Sequence, residues 1–277
     1  MAPRQNTFED KLVLITGGSS GIGLALARQL AEAGARVWIL ARRPDALERA
    51  VKSIASVNGN RPGMLAADVT DSKQVQGAVK RLADEAGLPD ILVNCAGSSH
   101  PGYVQETTLD TYREMMDLNY FGTVHMVQTL LPAMLKRGSG YIVNFSSMAG
   151  FLAPFGYAAY VPSKYAVRGF SDSLRLELKP LGIDVSVVFP PDTDTPGMAN
   201  ENKTKPYETL EAFSSSLAAP EAVAKAVVRG MKRRQYVILP GDANLTYRLM
   251  YLTGNGIYPI FDMLLAQARR KKAKAKS

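Results

Sequence analysis

Short apolar runs alternate with stretches of helical periodicity along most of the chain. The runs are rich in β-branched residues, which is typical of strands buried on both faces of a parallel sheet. They occupy residues 11–16, 36–40, 64–69, 91–94, 141–145, 184–189 and 236–239. Amphipathic stretches between the runs predict helices, including residues 71–87, 109–137 and 220–232. This alternation predicts an α/β fold, a doubly wound parallel sheet with right-handed crossovers, as a single domain over residues 8–240.

Two stretches depart from the alternation. A polar connection at residues 190–219 is far longer than the usual link of about 2–6 residues and predicts a substrate lid. Residues 241–277 read as a C-terminal apolar segment followed by a polybasic tail. Polar residues, glycines and a proline interrupt the apolar part, so it is not expected to cross a bilayer as one helix.

The net charge of +8 is concentrated at the C-terminus. Six of the basic residues lie in the last nine positions: Arg269, Arg270, Lys271, Lys272, Lys274 and Lys276. The small remainder does not support a nucleic-acid surface. A single cysteine, Cys95, fits a reducing compartment, and with two histidines no metal site is predicted. The first residues have no apolar core typical of a signal peptide or anchor.

A glycine-rich turn, TGGSSGIG, joins the first strand to the first helix. Such a turn lets a pyrophosphate approach the helix N-terminus, where free N–H groups attract anions. The predicted cofactor contacts in this turn are Gly17, Ser19, Ser20, Gly21, Ile22 and Gly23.

Arg42 and Arg43 follow the second strand, where an NAD site normally places an acidic residue. Because guanidinium groups pair well with phosphate oxygens, these arginines predict a 2′-phosphate and therefore NADPH. A solvated arginine pair is the alternative. Further cofactor contacts are predicted where the third and fourth strands end: Asp68, Val69, Asn94, Ala96 and Gly97. Asp68 is expected near an adenine amino group, unless it is only a turn carboxylate. Cys95 is expected to be a small buried hydrophobe.

The stretch FSSMAGFLAPFGYAAYVPSK carries the candidate chemistry. Tyr160 and Lys164 lie four positions apart, about 5–6 Å on a helix face, so the ammonium is expected to lower the pKa of the phenol and make it a general acid or base. Tyr157 is a rival, but it lies farther from Lys164 along the helix. Ser147 is expected to hydrogen-bond a substrate carbonyl, or else to serve as a loop cap.

Asn119 is a poor residue for the middle of a helix, and Gly122 follows it closely. A backbone carbonyl freed at such an irregularity would hold a water that relays protons to Lys164. Ordinary surface placement is the alternative reading of Asn119.

Together these motifs resemble the short-chain dehydrogenase/reductase family over about residues 8–240, which implies a Rossmann fold and hydride transfer between a nicotinamide and a carbonyl or carbinol carbon. The resemblance implies Tyr160 as proton donor, Ser147 as orienting group, Lys164 as ribose contact and Asn119 as anchor of the relay. It adds Pro190, Thr193 and Thr195 as cofactor contacts, the threonines at the carboxamide. Pro191 stands where the family usually has glycine.

The segment PPDTDTPG, with ENKTKPYETLE, is similar to the 3-ketodihydrosphingosine reductases. This similarity implies a long-chain sphingoid ketone as substrate and a cytoplasmic enzyme peripheral to a membrane, the endoplasmic reticulum if eukaryotic. The C-terminal segment then predicts contact with an anionic membrane surface. Alternatives are a homo-oligomer contact in a dimer or tetramer, a soluble reductase of another ketone, and a non-catalytic NADP(H) sensor.

Overall fold

The computed structural model describes residues 7–56, 59–213 and 216–274. Lys276 and two positions of the predicted lid, 214 and 215, lie outside these ranges, as do the first six residues. All site residues named above lie within them.

A seven-stranded sheet forms the centre of the molecule, and every neighbouring pair of strands is parallel. The strand order is β3-β2-β1-β4-β5-β6-β7. The strands are β1 Leu12–Thr16, β2 Arg36–Ala41, β3 Gly63–Ala66, β4 Ile91–Asn94, β5 Gly140–Phe145, β6 Ile183–Val188 and β7 Val237–Ile238. The chain reverses its winding between β1 and β4, so a crevice opens at their carboxyl ends, where ligands bind in such sheets.

Helices cover both faces of the sheet. They are α1 Gly21–Glu32, α2 Pro44–Ser53, α3 Ser72–Ala86, α4 Leu109–Met116, α5 Gly122–Arg137, α6 Tyr160–Leu178, α7 Pro196–Glu201, α8 Tyr207–Ala212, α9 Pro220–Lys232, α10 Ala243–Thr253 and α11 Tyr258–Lys274. Apolar side chains of α1, α2 and α9 pack on one face and those of α3, α5 and α6 on the other. The predicted doubly wound α/β fold is confirmed.

Several predicted boundaries differ from the structure, and three of the differences concern the site. The third strand ends at Ala66 rather than at residue 69, because the carboxylate of Asp68 accepts hydrogen bonds from the backbone and hydroxyl of Thr70 and forms a turn. The helix that carries Lys164 begins at Tyr160, so Tyr157 lies before this helix rather than on it. The helical region from 109 to 137 is divided by a π-helical turn, Asp117–Phe121.

The C-terminal segment is helical but broken. Between α10 and α11, residues Gly254–Ile257 form a single 3-10 turn, and Gly254 has a positive φ of 53°. Over the described residues, no helix is both long and apolar enough to cross a bilayer. The helix α11 instead packs along α8 of the predicted lid.

Candidate active site

The carboxyl end of β5 and the first turn of α6 bring the candidate catalytic side chains together. Ser147 follows β5 and caps a short 3-10 turn, where its hydroxyl accepts from the N–H of Ala149 at 3.2 Å. Tyr160 is the first residue of α6, and Lys164 lies one turn later, with its Nζ 5.7 Å from the centre of the Tyr160 ring. All three residues line the same cavity.

The pKa of Tyr160 does not follow the expectation from the sequence. Burial raises the pKa of this phenol above its ordinary value, and the nearby charges of Glu201 and Asp192 raise it further. Of the causes of the shift, only the hydrogen bond with Ser147 lowers the pKa of Tyr160. The net shift of the Tyr160 pKa is therefore opposite to the expected direction, because removal of the phenol from water is its largest cause. The raised pKa keeps Tyr160 protonated at neutral pH.

Lys164 is almost completely buried, with 4% of its surface exposed. Its ammonium donates to the backbone carbonyl of Phe145 at 3.1 Å, which ties α6 to the end of β5. Burial lowers the pKa of Lys164 from 10.5 to about 8. Burial also raises the pKa of the Cys95 thiol, to about 12. This thiol lines the cavity but stays protonated at neutral pH, so it is a poor nucleophile.

Asn119 lies in the π-helical turn and is 1% exposed, so the alternative of surface placement is wrong. Its side-chain nitrogen donates to the carbonyl of Ser98 at 3.0 Å and to the hydroxyl of Ser163 at 2.9 Å, and its side-chain oxygen accepts from the N–H of Ser98. Its backbone carbonyl accepts from the Thr123 hydroxyl at 3.0 Å. Asn119 thus joins the loop after β4 to α6, while the proton relay stays a prediction.

The turn between β1 and α1 fits a pyrophosphate. A side chain at Gly23 would put its Cβ 2.4 Å from the carbonyl oxygen of Gly17, and Gly17 itself has a positive φ of 67°. Ser20, the N-cap residue, makes no side-chain hydrogen bond to the first turn of α1. No side chain therefore caps the first N–H groups of α1, and uncapped N–H groups at a helix N-terminus can bind an anion. This arrangement suits the phosphates of a dinucleotide.

The two arginines that predicted the cofactor lie at the end of β2. Arg42 is largely exposed, with a side-chain nitrogen 3.9 Å from a carboxylate oxygen of Asp68 on the neighbouring loop. Arg43 is the exposed N-cap residue of α2. Asp68 is a turn carboxylate, which was one of the two interpretations offered by the sequence. It also faces Arg42. The adenine and 2′-phosphate contacts stay predictions.

The ends of β3 and β4 carry the other predicted cofactor contacts. Val69 is buried in the core, and its carbonyl lies 2.9 Å from Nδ1 of His125. The side chain of Asn94 donates to Asn144 on β5 at 2.9 Å. A Cβ at Gly97 would lie 2.7 Å from the side-chain oxygen of Asn119.

Thr16 is the last residue of β1 and the first of TGGSSGIG, but its role was not predicted from the sequence. Its hydroxyl accepts from the N–H groups of Cys95 and Ala96, each at 3.1 Å. It therefore fixes the distance between the glycine-rich turn and the loop after β4. A single threonine at a strand end carries no sequence signal for such a role.

The predicted lid begins directly beside this crevice. Pro190, Thr193 and Thr195 line the cavity, and Thr195 caps α7 through the N–H of Met198 at 3.2 Å. The base of the segment is closed because the N–H groups of Asp194 and Ala218 each bond across it, at 2.9 Å. Helices α7 and α8 stand above this closure.

A cavity of about 690 Å³ occupies the space between the catalytic side chains, the lid and the C-terminal helices. Its inner end is polar and contains Ser147, Tyr160 and Lys164. The predicted lid and the last helices also contribute apolar side chains to its wall, namely Leu210, Phe213, Leu217, Ile257 and Phe261. A reacting polar group attached to a long apolar chain fits this division.

Residues 11–206 match the family described as short chain dehydrogenase. This chain belongs to the short-chain dehydrogenase/reductase family. A 3-dehydrosphinganine reductase of Danio rerio is 41% identical over 234 residues, which cover 83% of this chain and 70% of that protein.

Solved structures of the family share the fold. The actinorhodin polyketide ketoreductase with NADPH has a TM-score of 0.72 at 29% identity, over 79% of this chain and 89% of that one. A short-chain dehydrogenase/reductase from Burkholderia phymatum with NAD has a TM-score of 0.78 at 26% identity, over 89% and 94%. The protein is thus an oxidoreductase that acts on a CH–OH or C=O group with a nicotinamide cofactor.

Proposed function

We propose that this enzyme reduces the 3-keto group of 3-ketosphinganine with NADPH, giving sphinganine for sphingolipid synthesis. The observation that carries the proposal is the 41% identity to a 3-dehydrosphinganine reductase over most of the chain. The cavity supports it, since its polar catalytic end continues into an apolar wall suited to a long alkyl chain. A soluble reductase of another ketone is the competing function, and it predicts no preference for a long-chain ketone.

In this mechanism the ketone oxygen lies between the Tyr160 phenol and the Ser147 hydroxyl. When bound, the nicotinamide supplies a hydride to the carbonyl carbon. Ser147 donates a hydrogen bond to the developing alkoxide, and Tyr160 donates the proton that converts it to the alcohol. The protonated state of Tyr160, favoured by burial, matches the direction of this reaction. Lys164 would hold positive charge beside the phenol and would contact the ribose of the bound cofactor, and Asn119 would anchor a proton relay to Lys164.

The choice of NADPH rests on the residues of this chain, because related structures hold either NADPH or NAD. Arg42 lies at the end of β2 with a largely exposed guanidinium, and Arg43 follows it. Guanidinium groups pair bidentately with phosphate oxygens, so an adenosine 2′-phosphate would be held here. Asp68 is near enough to orient Arg42 toward that phosphate.

NADPH oxidation by the purified protein with 3-ketosphinganine in detergent micelles tests the proposal. The controls are NADH with the same ketone and NADPH with a short soluble β-ketoester. Turnover of the sphingoid ketone with NADPH, well above both controls, is the expected result. Turnover of the ketoester alone would keep the catalytic assignments and discard the sphingolipid substrate. No turnover with any ketone, despite tight NADPH binding, would indicate a cofactor sensor.

The proposal extends to a membrane surface on the cytoplasmic side, from which a long-chain ketone would enter. Helices α10 and α11 line the cavity through Thr246 and Phe261. The same helices expose large apolar side chains to solvent: Leu245, Leu249, Tyr251, Leu252, Ile260 and Met263. An apolar surface next to the mouth of a lipid site fits an interfacial helix that rests on the bilayer.

A further inference from the structure

A carboxylate is built into the cavity wall beside the catalytic tyrosine. Glu201, at the end of α7 in the lid, accepts from the hydroxyl of Tyr157 at 2.5 Å and from the hydroxyl of Ser99. The ammonium of Lys205 lies 3.2 Å from the same oxygen that Tyr157 contacts. The side chains of Glu201 and Lys205 are only 12% and 9% exposed.

This carboxylate lies close to the reacting centre. The rings of Tyr157 and Tyr160 are 6.1 Å apart between centroids, and Glu201 bonds directly to the first of them. Its negative charge is one cause of the raised pKa of Tyr160. Glu201, Tyr157, Ser99 and Lys205 all line the cavity that contains the catalytic side chains.

The hydrogen bonds to Glu201 leave room for another donor. Oε1 accepts from Tyr157 and faces Lys205, whereas the contact described at Oε2 is with Ser99. A carboxylate oxygen accepts about two hydrogen bonds, so Oε2 can take one more. The side chain of Glu201 is 12% exposed and is already paired with Lys205 through Oε1. The remaining acceptor position at Oε2 suits an ammonium donor, because a hydrogen bond between charged groups is stronger than one between neutral groups. The ketone proposed above carries an ammonium group on the carbon next to its carbonyl.

We propose that Glu201 is the residue that selects an aminoketone, by binding the ammonium group next to the carbonyl through Oε2. The inference rests on the proposed function, because it assigns the polar head of that substrate. Binding the ammonium at Glu201 turns the adjacent carbonyl toward Tyr160 and Ser147, and the alkyl chain then extends along the apolar wall. A ketone of the same length without the amine loses this contact.

The test compares 3-ketosphinganine with its analogue that lacks the 2-amino group, in the same micelles with NADPH. The variant Glu201→Gln keeps the size and one acceptor oxygen but removes the charge. Its KM for the aminoketone is expected to rise about tenfold to a hundredfold, with a smaller change in kcat, and its KM for the analogue to stay near that of the parent protein. Calorimetric binding of a short-chain 2-amino-1,3-diol and its deaminated counterpart should show the same difference without turnover.

Glu208→Gln is the matched control. Glu208 is also a lid carboxylate held by a tyrosine and a lysine, Tyr103 at 2.6 Å and Lys272 at 3.3 Å, but it is not among the residues that line the cavity. The variant Glu208→Gln should leave the preference for the amine unchanged.

Equal rises of both KM values in Glu201→Gln would mean that Glu201 only stabilises the lid, and would overturn the inference. Turnover of both long-chain ketones by the parent protein without preference would overturn it too, while the proposed reduction would stand. Absence of turnover with the aminoketone would overturn both the role of Glu201 and the proposed reduction of 3-ketosphinganine.

Discussion

At the catalytic centre, burial pushes both members of the tyrosine–lysine pair toward their neutral forms. The pKa of Tyr160 is raised and that of Lys164 is lowered to about 8, and removal from water is the largest cause of each shift. A neutral phenol is the form that donates a proton to an alkoxide. A lysine that is close to losing its charge is sensitive to any further change in its surroundings. This arrangement suits the proposed reduction at neutral pH, in which Tyr160 donates the proton.

Replacement of Tyr160 by phenylalanine tests the proton donor. Tyr160→Phe should lower kcat by about 10²- to 10⁴-fold, since it removes the general acid, while NADPH binding measured by fluorescence is retained. Tyr157→Phe should keep kcat within about threefold, because Tyr157 contacts Glu201 rather than Lys164. The reverse pattern would show that Tyr157 is the donor.

The buried Lys164 should make the apoenzyme's stability depend on pH. Between pH 8 and 10.5 the unfolded chain holds a proton on this lysine that the folded chain has released, so the free energy of unfolding rises with pH in that window. Below pH 8 the folded chain keeps this buried lysine protonated, which lowers the free energy of unfolding by about 3 kcal/mol. In denaturant unfolding, the free energy of unfolding of Lys164→Met should therefore exceed that of the parent protein most at pH 7 and least near pH 10.

The exposed Lys80 on α3 provides the control for this measurement. Lys80→Met should differ from the parent protein by the same amount at every pH. A pH-independent difference for Lys164→Met as well would mean that its ammonium is not desolvated in the folded chain.

Arg42 should set the preference for NADPH. Arg42→Ala should weaken NADPH binding about tenfold to a hundredfold, the cost of a charged hydrogen-bonded pair, with little effect on NADH. Arg49→Ala, an exposed arginine on α2 paired with Asp45, should change neither. Equal losses for both cofactors in Arg42→Ala would show that Arg42 does not contact the 2′-phosphate.

At the scale of elements, the contact between the glycine-rich turn and α1 has no room for a side chain. Gly23→Ala would force its Cβ to 2.4 Å from the Gly17 carbonyl, so the turn must open. A loss of about 1–3 kcal/mol in unfolding free energy is expected, together with loss of cofactor binding. Gly169→Ala on α6 meets nothing within 4 Å and should stabilise the protein by about 1 kcal/mol with unchanged binding. Cofactor binding by Gly23→Ala at parental affinity would contradict this account of the turn.

The elements themselves could be predicted because buried parallel strands and amphipathic helices have different periods. All seven runs that predicted strands occur as strands, with ends shifted by a few residues. The shifts occur where local side-chain hydrogen bonds decide the end, as at Asp68. The π-helical turn was visible only as poor helix residues at Asn119 and Gly122. Its position depends on packing of the turn against α6, which no local pattern encodes.

The site was predictable where residues belong to a motif and not where their role comes from tertiary contacts. Ser147, Tyr160 and Lys164 are near in sequence and meet through one strand end and one helix turn. Thr16 and Glu201 act on segments 79 and 102 residues away. Glu201 lies in a polar connection in which any carboxylate looks solvated. Its burial depends on α7 folding back over the cavity.

At the scale of the whole molecule, the basic tail is partly engaged with the body of the protein. Lys271 pairs with Glu211, and Lys272 pairs with Glu208. Both glutamates lie on α8, in the predicted lid. The guanidinium of Arg269 lies 5.8 Å from the centre of the Phe155 ring. Charges held in this way are less available to lipid headgroups. We therefore expect the apolar face of α10 to contribute more to the proposed membrane contact than the excess of basic residues suggests.

Leu245, Leu249 and Leu252 form the stripe on α10 that should bind a bilayer. They are 65%, 44% and 84% exposed, and their spacing places them on one face of the helix. Each leucine transferred from water contributes about 1.5–3 kcal/mol, so serine at all three positions should lower partition onto vesicles by more than tenfold. Sedimentation with phosphatidylcholine vesicles, with and without phosphatidylglycerol, measures this. The anionic lipid and low salt should add a smaller increment, since Lys271 and Lys272 already face the lid.

Leu176→Ser is the control, because Leu176 is 70% exposed but lies on α6, away from the cavity mouth. It should partition like the parent protein. Sedimentation velocity without lipid separates the alternative that the stripe joins two copies of the chain. In that case the triple serine variant would fall to a smaller species while its vesicle binding stayed unchanged. Loss of vesicle binding at constant oligomeric state would place the stripe, and with it the cavity mouth, against the lipid from which the ketone is drawn.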